Sequence, residues 1–442
     1  MPSRRAEVET RLQRIAEKAR REPCFKFTSL FHLMNEELLR GCFEGLRKDA
    51  ASGIDRVTKE EYGRNLEGNL RELVNRLHRM SYIPQPVCRV YIPKPGSNKQ
   101  RPLGIPVLED KVVQAGPVRI PEAIHEADFI TDSYGFRPGR GCHDALRALS
   151  VEVEGGGVHY IVEADIKGFF DNVQHEWLMK FLGHRIGDKR VLRYVKRFLK
   201  AGVFEHGEIA ATEQGTPQGG VVSPLLANVY LHYSLDLWYA RVFSRSCAGR
   251  SRLIRYADDC VVCFQRESDA RRFRADLEER LGRFGLEVAA EKTKVLEFGP
   301  LAESKARARG EKAQSFDFLG LTHYCSRTRN GRRFRMKRLT SRKKFKAKLL
   351  ALKEWLKANR TSPVPELMKT VVAKVRGHIA YYGVTDNSHG IGRYVHAVRL
   401  LLFKWLDHRG KRGSMTLEKF RQFLNKFPLP RPLILVNLFE SR

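Results

Sequence analysis

Two adjacent acids, Asp258 and Asp259, follow Tyr256 and Ala257 between the apolar runs Leu253-Ile254-Arg255 and Cys260-Val261-Val262. Apolar strands on both sides of so short a polar pair predict a tight hairpin with the acids at its tip. A solvated Asp-Asp turn would account for the pair alone, but the flanking strands fix this tip. A further acid, Asp165, ends the apolar run Tyr160-Ile161-Val162-Glu163-Ala164 and leads into Ile166-Lys167-Gly168-Phe169-Phe170-Asp171. If the two strands are neighbours, three carboxylates converge, and divalent cations would relieve their repulsion. Hard Mg²⁺ prefers a few carboxylates plus substrate phosphate oxygens. Two such ions about 4 Å apart can activate an attacking 3′-hydroxyl and stabilise a pyrophosphate leaving group in an in-line displacement. The chemistry these residues could do is nucleotidyl transfer. Glu163 stands two before Asp165 and could share its face, with Asp165 better placed at the strand end; Asp171 could instead cap the helix before His175.

The elements that must position these acids lie in a mixed section from about His159 to Leu321. It reads as a strand from His159 to Ala164, a helix around His175 to Leu182, a longer helix from Ser223 to Ala240, a hairpin around Tyr256 to Phe264 and a helix from Ser268 to Phe284. That order is what an α+β fold with a mainly antiparallel sheet gives. Upstream, Glu7 to about Ala19 reads as a charged helix, apolar residues recur at helical spacing from Leu30 to Leu46 and Tyr62 to Met80, and Pro and Gly mark a hairpin in the β-rich section that begins at Val87. Leu301 to Gln314 is polar and reads as an exposed connection. Past Cys325 the chain is basic and then helical, with Trp355 and Trp405 as apolar anchors. The chain is thus expected to divide at 1–86, 87–158, 159–325 and 326–442.

With 442 residues, 42% of them hydrophobic, the chain has ample length and apolar content for folded cores. Lys and Arg number 81 against 50 Asp and Glu, a formal charge of +31, and such an excess points to a polyanion. No run approaches the roughly 18 apolar residues of a membrane span, and Met1 to Arg21 lacks the apolar core of a secretory signal; a cytoplasmic protein without membrane contact is expected. The eight cysteines are scattered, and Cys260 and Cys263 lie on an apolar strand whose positions three apart face opposite sides, which favours strand packing over zinc. Between Arg327 and Lys348 stand twelve Lys or Arg and no acid, among them Arg332, Arg333, Arg335, Lys337, Arg338, Lys343 and Lys344. A solvated basic helix is the usual account of such a run; a dozen uncompensated cations favour contact with nucleic-acid phosphate. Arg137 and Arg140 beside Tyr134 and Phe136 mix cations and rings as a nucleic-acid groove would.

Asp165 through Phe170 with Tyr256 to Asp259 resembles the catalytic blocks of reverse transcriptases. Their surroundings resemble the group II intron-encoded reverse transcriptase/maturase family from about Phe25 to about Pro430. The blocks come in the family's order: Ala51-Ser52-Gly53-Ile54-Asp55; Ile92-Pro93-Lys94-Pro95 with Arg101 to Pro106; Ser133 to Arg140; Asp165 to Val173; Gly215 to Pro224; Tyr256 to Asp259; Glu291 to Lys294; and Phe318-Leu319-Gly320. The resemblance implies an α+β right-hand polymerase: an N-terminal extension, fingers, a palm with an antiparallel sheet, and a helical thumb/maturase domain. It implies RNA-directed DNA synthesis with two Mg²⁺ ions, Mn²⁺ being an alternative, on Asp165, Ile166, Asp258 and Asp259.

Phe170 would be the steric gate against a 2′-hydroxyl, with Ile166 also at the nucleotide. Lys94 and Arg101 would clamp the triphosphate, Gln218 would line the nucleotide pocket, and Lys292 would protonate the departing pyrophosphate. Each has a plainer alternative: a core Phe, surface cations, a helix start. The implied partners are an RNA template, a DNA or RNA primer, dNTPs and group II intron RNA, whose splicing and retromobility the protein would promote; oligomeric state is not implied. Two departures stand out. Gly116-Pro117 and Pro121 interrupt Val112 to Ile124, where the family runs an unbroken helix, so a kink or loop is expected. The chain also ends soon after the thumb, so target-DNA nicking is expected to be absent and priming to use a pre-existing 3′ end. The alternatives are a splicing chaperone with a vestigial polymerase site, against which the intact Asp165, Asp258 and Asp259 argue, and a domesticated reverse transcriptase in DNA repair or phage defence.

Overall fold

A computed structural model describes residues 4–93, 100–216, 219–408 and 415–439. Its centre is a four-stranded antiparallel sheet of order β10-β3-β8-β7, built from β3 (Tyr160–Ala164), β7 (Ser251–Tyr256), β8 (Asp259–Phe264) and β10 (Lys294–Glu297). Both faces are covered, which is why β3 and β8 read as nearly unbroken apolar runs. Val162, Ala164, Cys260, Val262 and Phe264 face one core, while Ile161, Val261 and Cys263 face another. The Cys260 and Cys263 thiols therefore point to opposite sides, and both are buried.

The first core extends to the N-terminal helices α1 (Arg4–Arg21), α2 (Glu36–Gly45), α3 (Lys59–Gly63), α4 (Leu66–His78) and α5 (Leu108–His125), and runs from Leu12 to Val288. It thus crosses the expected divisions near 86 and 158. Of the kink or loop expected here, the loop is absent: α5 is continuous past Gly116 and Pro121. At about 3 kcal/mol for each interior proline, Pro117 and Pro121 together cost this helix about 6 kcal/mol. Here Val112, Val113, Ile120 and Ile124 are fully buried, and at about 1.5–3 kcal/mol for each such side chain their burial outweighs that cost. Gly116 is needed for the packing, since a Cβ there would lie 2.9 Å from Met34 Cε.

Around the sheet lie α6 (Cys142–Glu154), the one-turn α7 (Phe169–Asn172), α8 (His175–Arg185), α9 (Lys189–Leu199), α10 (Ser223–Leu231) and α11 (Glu267–Gly282). Asp171 falls inside α7, and Gln174 occupies the N-cap of α8 without a side-chain bond, so Asp171 caps nothing there. The helix expected from Ser223 to Ala240 is helical along its length but widens into π turns at His232–Asp236 and Tyr239–Phe243. A second sheet, β2-β1-β5-β6, joins β1 (Val87–Pro93), β2 (Gln100–Ile105), β5 (Val203–Glu205) and β6 (Glu208–Ala210), with β1 and β5 parallel. A short ladder pairs β4 (Ile166–Lys167) with β9 (Glu287–Val288).

The connection 301–314 is partly helical, as α12 (Ala302–Ala308), because Ala302 and Ala306 are buried. A three-stranded antiparallel sheet follows, β11 (Ser315–Phe318), β12 (Leu321–Arg327) and β13 (Phe334–Thr340). The helices α13 (Arg342–Ala358), α14 (Val364–Tyr382), α15 (Ser388–Asp407) and α16 (Leu417–Lys426) then close round a core of their own. Among the described residues no helix is long and apolar enough to cross a membrane.

Candidate active site

The β7–β8 hairpin pairs Tyr256 with Asp259, leaving Ala257 and Asp258 as a two-residue turn. Ala257 takes a left-handed φ of 55°. On the other side of β8, Cys260 pairs with Ala164 of β3, so the next residue, Asp165, emerges beside Asp259. Its backbone is pinned by the bond from Ala289 N–H to the Asp165 carbonyl, 2.8 Å. Lys292 N–H bonds to the Ala289 carbonyl, and the resulting turn delivers the Lys292 ammonium onto the Asp165 carboxylate as an ion pair. Ile166, one residue on, is a buried β4 residue paired with Val288.

The electrostatics register this crowding. Burial, then Asp165, raises the Asp258 carboxyl above the usual range, against the pull of Arg101 and Arg255. Water reaches Asp259, yet protein surrounds it on most sides. That desolvation, with Asp258 and Asp165, pushes it up to about 6 against the pull of Lys344 and Lys292. Glu163 is raised to about 7 by burial, Asp317 and Asp259. The acids are neighbours in charge without forming a closed shell: among the described residues no three His, Cys, Asp or Glu side chains gather as a ready metal cage.

Beside the acids, Phe169 is core and Phe170 half-buried, their rings edge to face at 5.3 Å. Phe170 lines a 210 Å³ cavity with Gly104, Gly215 and Thr216. The Gly215 segment is stitched to this spot by bonds from Thr216 N–H to the Phe170 carbonyl and from Gly215 N–H to the Val173 carbonyl, each 2.7 Å. Gly219, at φ 109°, passes so close to β2 that a Cβ would lie 2.7 Å from the Gly104 carbonyl oxygen. Arg101 is exposed on β2 and bears electrostatically on Asp258. Lys94 and Gln218 lie outside the described residues.

The residues expected at nucleic acid divide sharply. Arg137 is buried: it grips Glu126 at 2.7 Å and donates to the carbonyls of Ile130 and Ser133, so its donors are consumed in shaping the loop. Arg140 is half-exposed, over the Tyr134 ring at 5.6 Å. Arg332 and Arg333 are exposed in the β12–β13 turn, and Lys343 and Lys344 on the first turn of α13. Lys337 is half-buried. Arg335 faces Asp386 at 3.3 Å and covers the Phe439 ring. Arg338 contradicts the expectation: strand alternation turns it inward beside Met336, fully buried, donating to Ser150 Oγ at 2.9 Å.

Sequence reasoning missed a buried group behind the acids: Arg255, Asp236 and Asn228, all 0% exposed. A cation inside the apolar run Leu253-Ile254-Arg255 was the available sign.

Residues 92–323 match the family described as reverse transcriptase (RNA-dependent DNA polymerase), more than half of the chain, and the chain belongs to that family. Residues 342–424 match the group II intron, maturase-specific domain, which sets the chain among group II intron-encoded reverse transcriptase/maturases. It is 37% identical over 222 residues to the group II intron-encoded protein LtrA of Lactococcus lactis subsp. cremoris, covering 50% of this chain and 37% of LtrA. It is 38% identical over 238 residues to protein YkfC of Escherichia coli, covering 48% of this chain and 62% of YkfC. It is 31% identical over 110 residues to nuclear intron maturase 1, mitochondrial, of Arabidopsis thaliana, covering 23% and 15%. In each case the match spans less than two thirds of the relative.

Proposed function

We propose that the chain is an RNA-directed DNA polymerase that also binds group II intron RNA and promotes its splicing and mobility. One observation carries the polymerase half: Asp165, just past the end of β3, stands beside Asp258 in the β7–β8 turn and Asp259 at the start of β8, and its charge adds to the burial that raises the proton affinity of both. We read 87–158 as fingers, 159–325 as palm and 326–442 as thumb and maturase domain, with 1–86 as an N-terminal extension. The hard, mutually repelling oxygen donors of Asp165, Asp258 and Asp259, with Ile166 at the strand end, suit divalent cations, Mg²⁺ or alternatively Mn²⁺. Two such ions, when bound, would supply the activation of the primer 3′-hydroxyl and the stabilisation of the pyrophosphate.

The chain's own groups do the rest. Arg101, with Lys94, neutralises the triphosphate. Phe170 and Gln218 bound the sugar and base, the ring excluding a 2′-hydroxyl. Lys292, its proton affinity raised chiefly by its bond to Asp165, holds a proton where the leaving oxygen can take it. Arg140, Arg332, Arg333, Lys343 and Lys344 supply phosphate contacts to template, primer and intron RNA, with Arg335 and Lys337 at their edge.

The test is primer extension on an RNA template with dNTPs and Mg²⁺, comparing the chain with its Asp258→Ala variant. Extension by the former alone is expected. No extension by either, with tight RNA binding retained, would sink the polymerase reading and leave a splicing chaperone.

A further inference from the structure

The turn that presents Asp258 and Asp259 is held from behind. Arg255, in β7, spends its guanidinium on three partners: Nε and Nη2 donate to the two carboxylate oxygens of Asp236 at 2.8 and 2.6 Å, and Nη1 donates to Asn228 Oδ1 at 3.0 Å and to the Ala257 carbonyl at 2.9 Å. Asn228 in turn donates to the Gly135 carbonyl at 2.8 Å. Gly135 lies flat against the turn, where a Cβ would come within 2.3 Å of the Ala257 nitrogen. The Arg255 backbone is tied as well, its N–H to the Asp132 carbonyl and its carbonyl to the Tyr134 N–H, each 2.9 Å.

Two features argue that this is more than filling. A buried ion pair gives little or no stability over apolar residues of the same volume, so what the pair adds is direction, and among the described residues the guanidinium donates to the Ala257 backbone carbonyl. Ala257 has the left-handed φ that a non-glycine residue keeps only when its surroundings hold it. The helix bearing the partners is also built to converge. In a regular α-helix positions eight apart, such as 228 and 236, are offset by about 80°. The π turn at His232–Asp236, with more residues per turn and so less rotation per residue, takes up most of that offset and brings Asn228 and Asp236 onto one guanidinium.

We propose that Arg255 is a positioning residue for DNA synthesis: braced by Asp236 and Asn228, it grips the Ala257 carbonyl and thereby fixes the turn that carries Asp258 and Asp259. This rests on the polymerase reading above.

The experiment replaces the pair by apolar residues of similar volume, Arg255→Met with Asp236→Leu, so that no charge is stranded, and adds Asn228→Ala as a milder variant. Each is measured for thermal stability, RNA affinity, extension rate, KM for dNTP, and Mn²⁺ binding by electron paramagnetic resonance. The expected result for the double variant is a melting temperature and RNA affinity near those of the parent, extension slowed by about a hundredfold with KM little changed, and weaker Mn²⁺ binding. Asn228→Ala should slow extension by about tenfold in the same pattern. A stable double variant that extends and binds Mn²⁺ like the parent would overturn the proposal. Should the double variant not fold, Asn228→Ala decides alone: parental rate and Mn²⁺ affinity refute, a slower rate at parental stability supports. A parent that binds Mn²⁺ without extending primers would sink the polymerase reading, while the Mn²⁺ comparison still judges the brace.

Discussion

The end of the central sheet and the β12–β13 hairpin with the start of α13 carry opposite charge under opposite conditions. At the sheet end, Glu163, Asp165 and Asp258 are half-buried and crowd against Asp259, which water reaches, and their positions come from backbone pairing of β3, β8 and the turn between β7 and β8. On the hairpin and α13, Arg332, Arg333, Lys343 and Lys344 stand in water. On the polymerase reading proposed above, the acids would be useful only in a fixed geometry, since in-line displacement fails when a ligand shifts. On the same reading the cations would need none, because each phosphate neutralised adds its own increment to binding. Loss should therefore be all-or-none at the first site and graded at the second.

That contrast can be broken by experiment. Asp258→Ala should lower extension by about a thousandfold or more while leaving RNA affinity unchanged, as filter binding and primer extension on the same preparation would show; surviving synthesis would mean that the acids do not act together. Glu at Arg332, Arg333, Lys343 and Lys344 should weaken RNA binding by about tenfold to a hundredfold and flatten the salt slope by about 0.7–0.9 for each phosphate no longer neutralised; with Lys344 kept, because it bears on Asp259, the rate at saturating template should be retained. A single substitution among the four that abolished binding, or a slope that did not move, would contradict the graded picture. Phe170→Ala should raise ribonucleotide use by about tenfold, read from competition between dNTPs and rNTPs; an unchanged ratio would place the gate elsewhere.

The same contrast explains what the sequence disclosed. Strand ends with acids were legible because β3 and β8 are buried on both faces, and an apolar run that stops at Asp165 or resumes after Asp259 leaves the carboxylates few places to be. The basic side was legible as a total and illegible residue by residue. Arg338 and Arg137 carry the same charge as Arg332, but the strand alternation that buries Arg338 and the loop carbonyls that take up Arg137 belong to tertiary structure. The prolines of α5 misled for a related reason: their local penalty is outweighed by packing against partners distant in sequence. The π turn at His232–Asp236, which brings Asp236 to Arg255, has no periodicity of its own to betray it.

The smallest expected effect separates the crowded acids from other buried carboxyls. Asp259 at about 6 and Glu163 at about 7 both sit above the ordinary range near 4, so the fold binds their protons more tightly than the unfolded chain does. Their contribution to stability is complete below about pH 4 and is lost as pH rises through 6 and 7. Asp110, also raised to about 7, chiefly by burial, behaves likewise, but it lies apart from the site, bonded to Tyr82 and to the Gln85 N–H. Without divalent metal these carboxyls should lower the melting temperature between pH 5 and pH 8, ~2–4 °C per kcal/mol lost, while His232, His323 and His378, which burial holds at about 3, oppose that fall as the unfolded chain loses its histidine protons; the share of each carboxyl is the difference between the parent and its amide variant. Mg²⁺ at pH 8 should recover the share that belongs to the crowded acids, because a cation replaces the missing protons, and should leave the Asp110 share untouched. Asp259→Asn should shrink the metal-dependent share and Asp110→Asn only the metal-independent one. If Mg²⁺ restores nothing at pH 8, the carboxylates at the sheet end are not waiting for a cation.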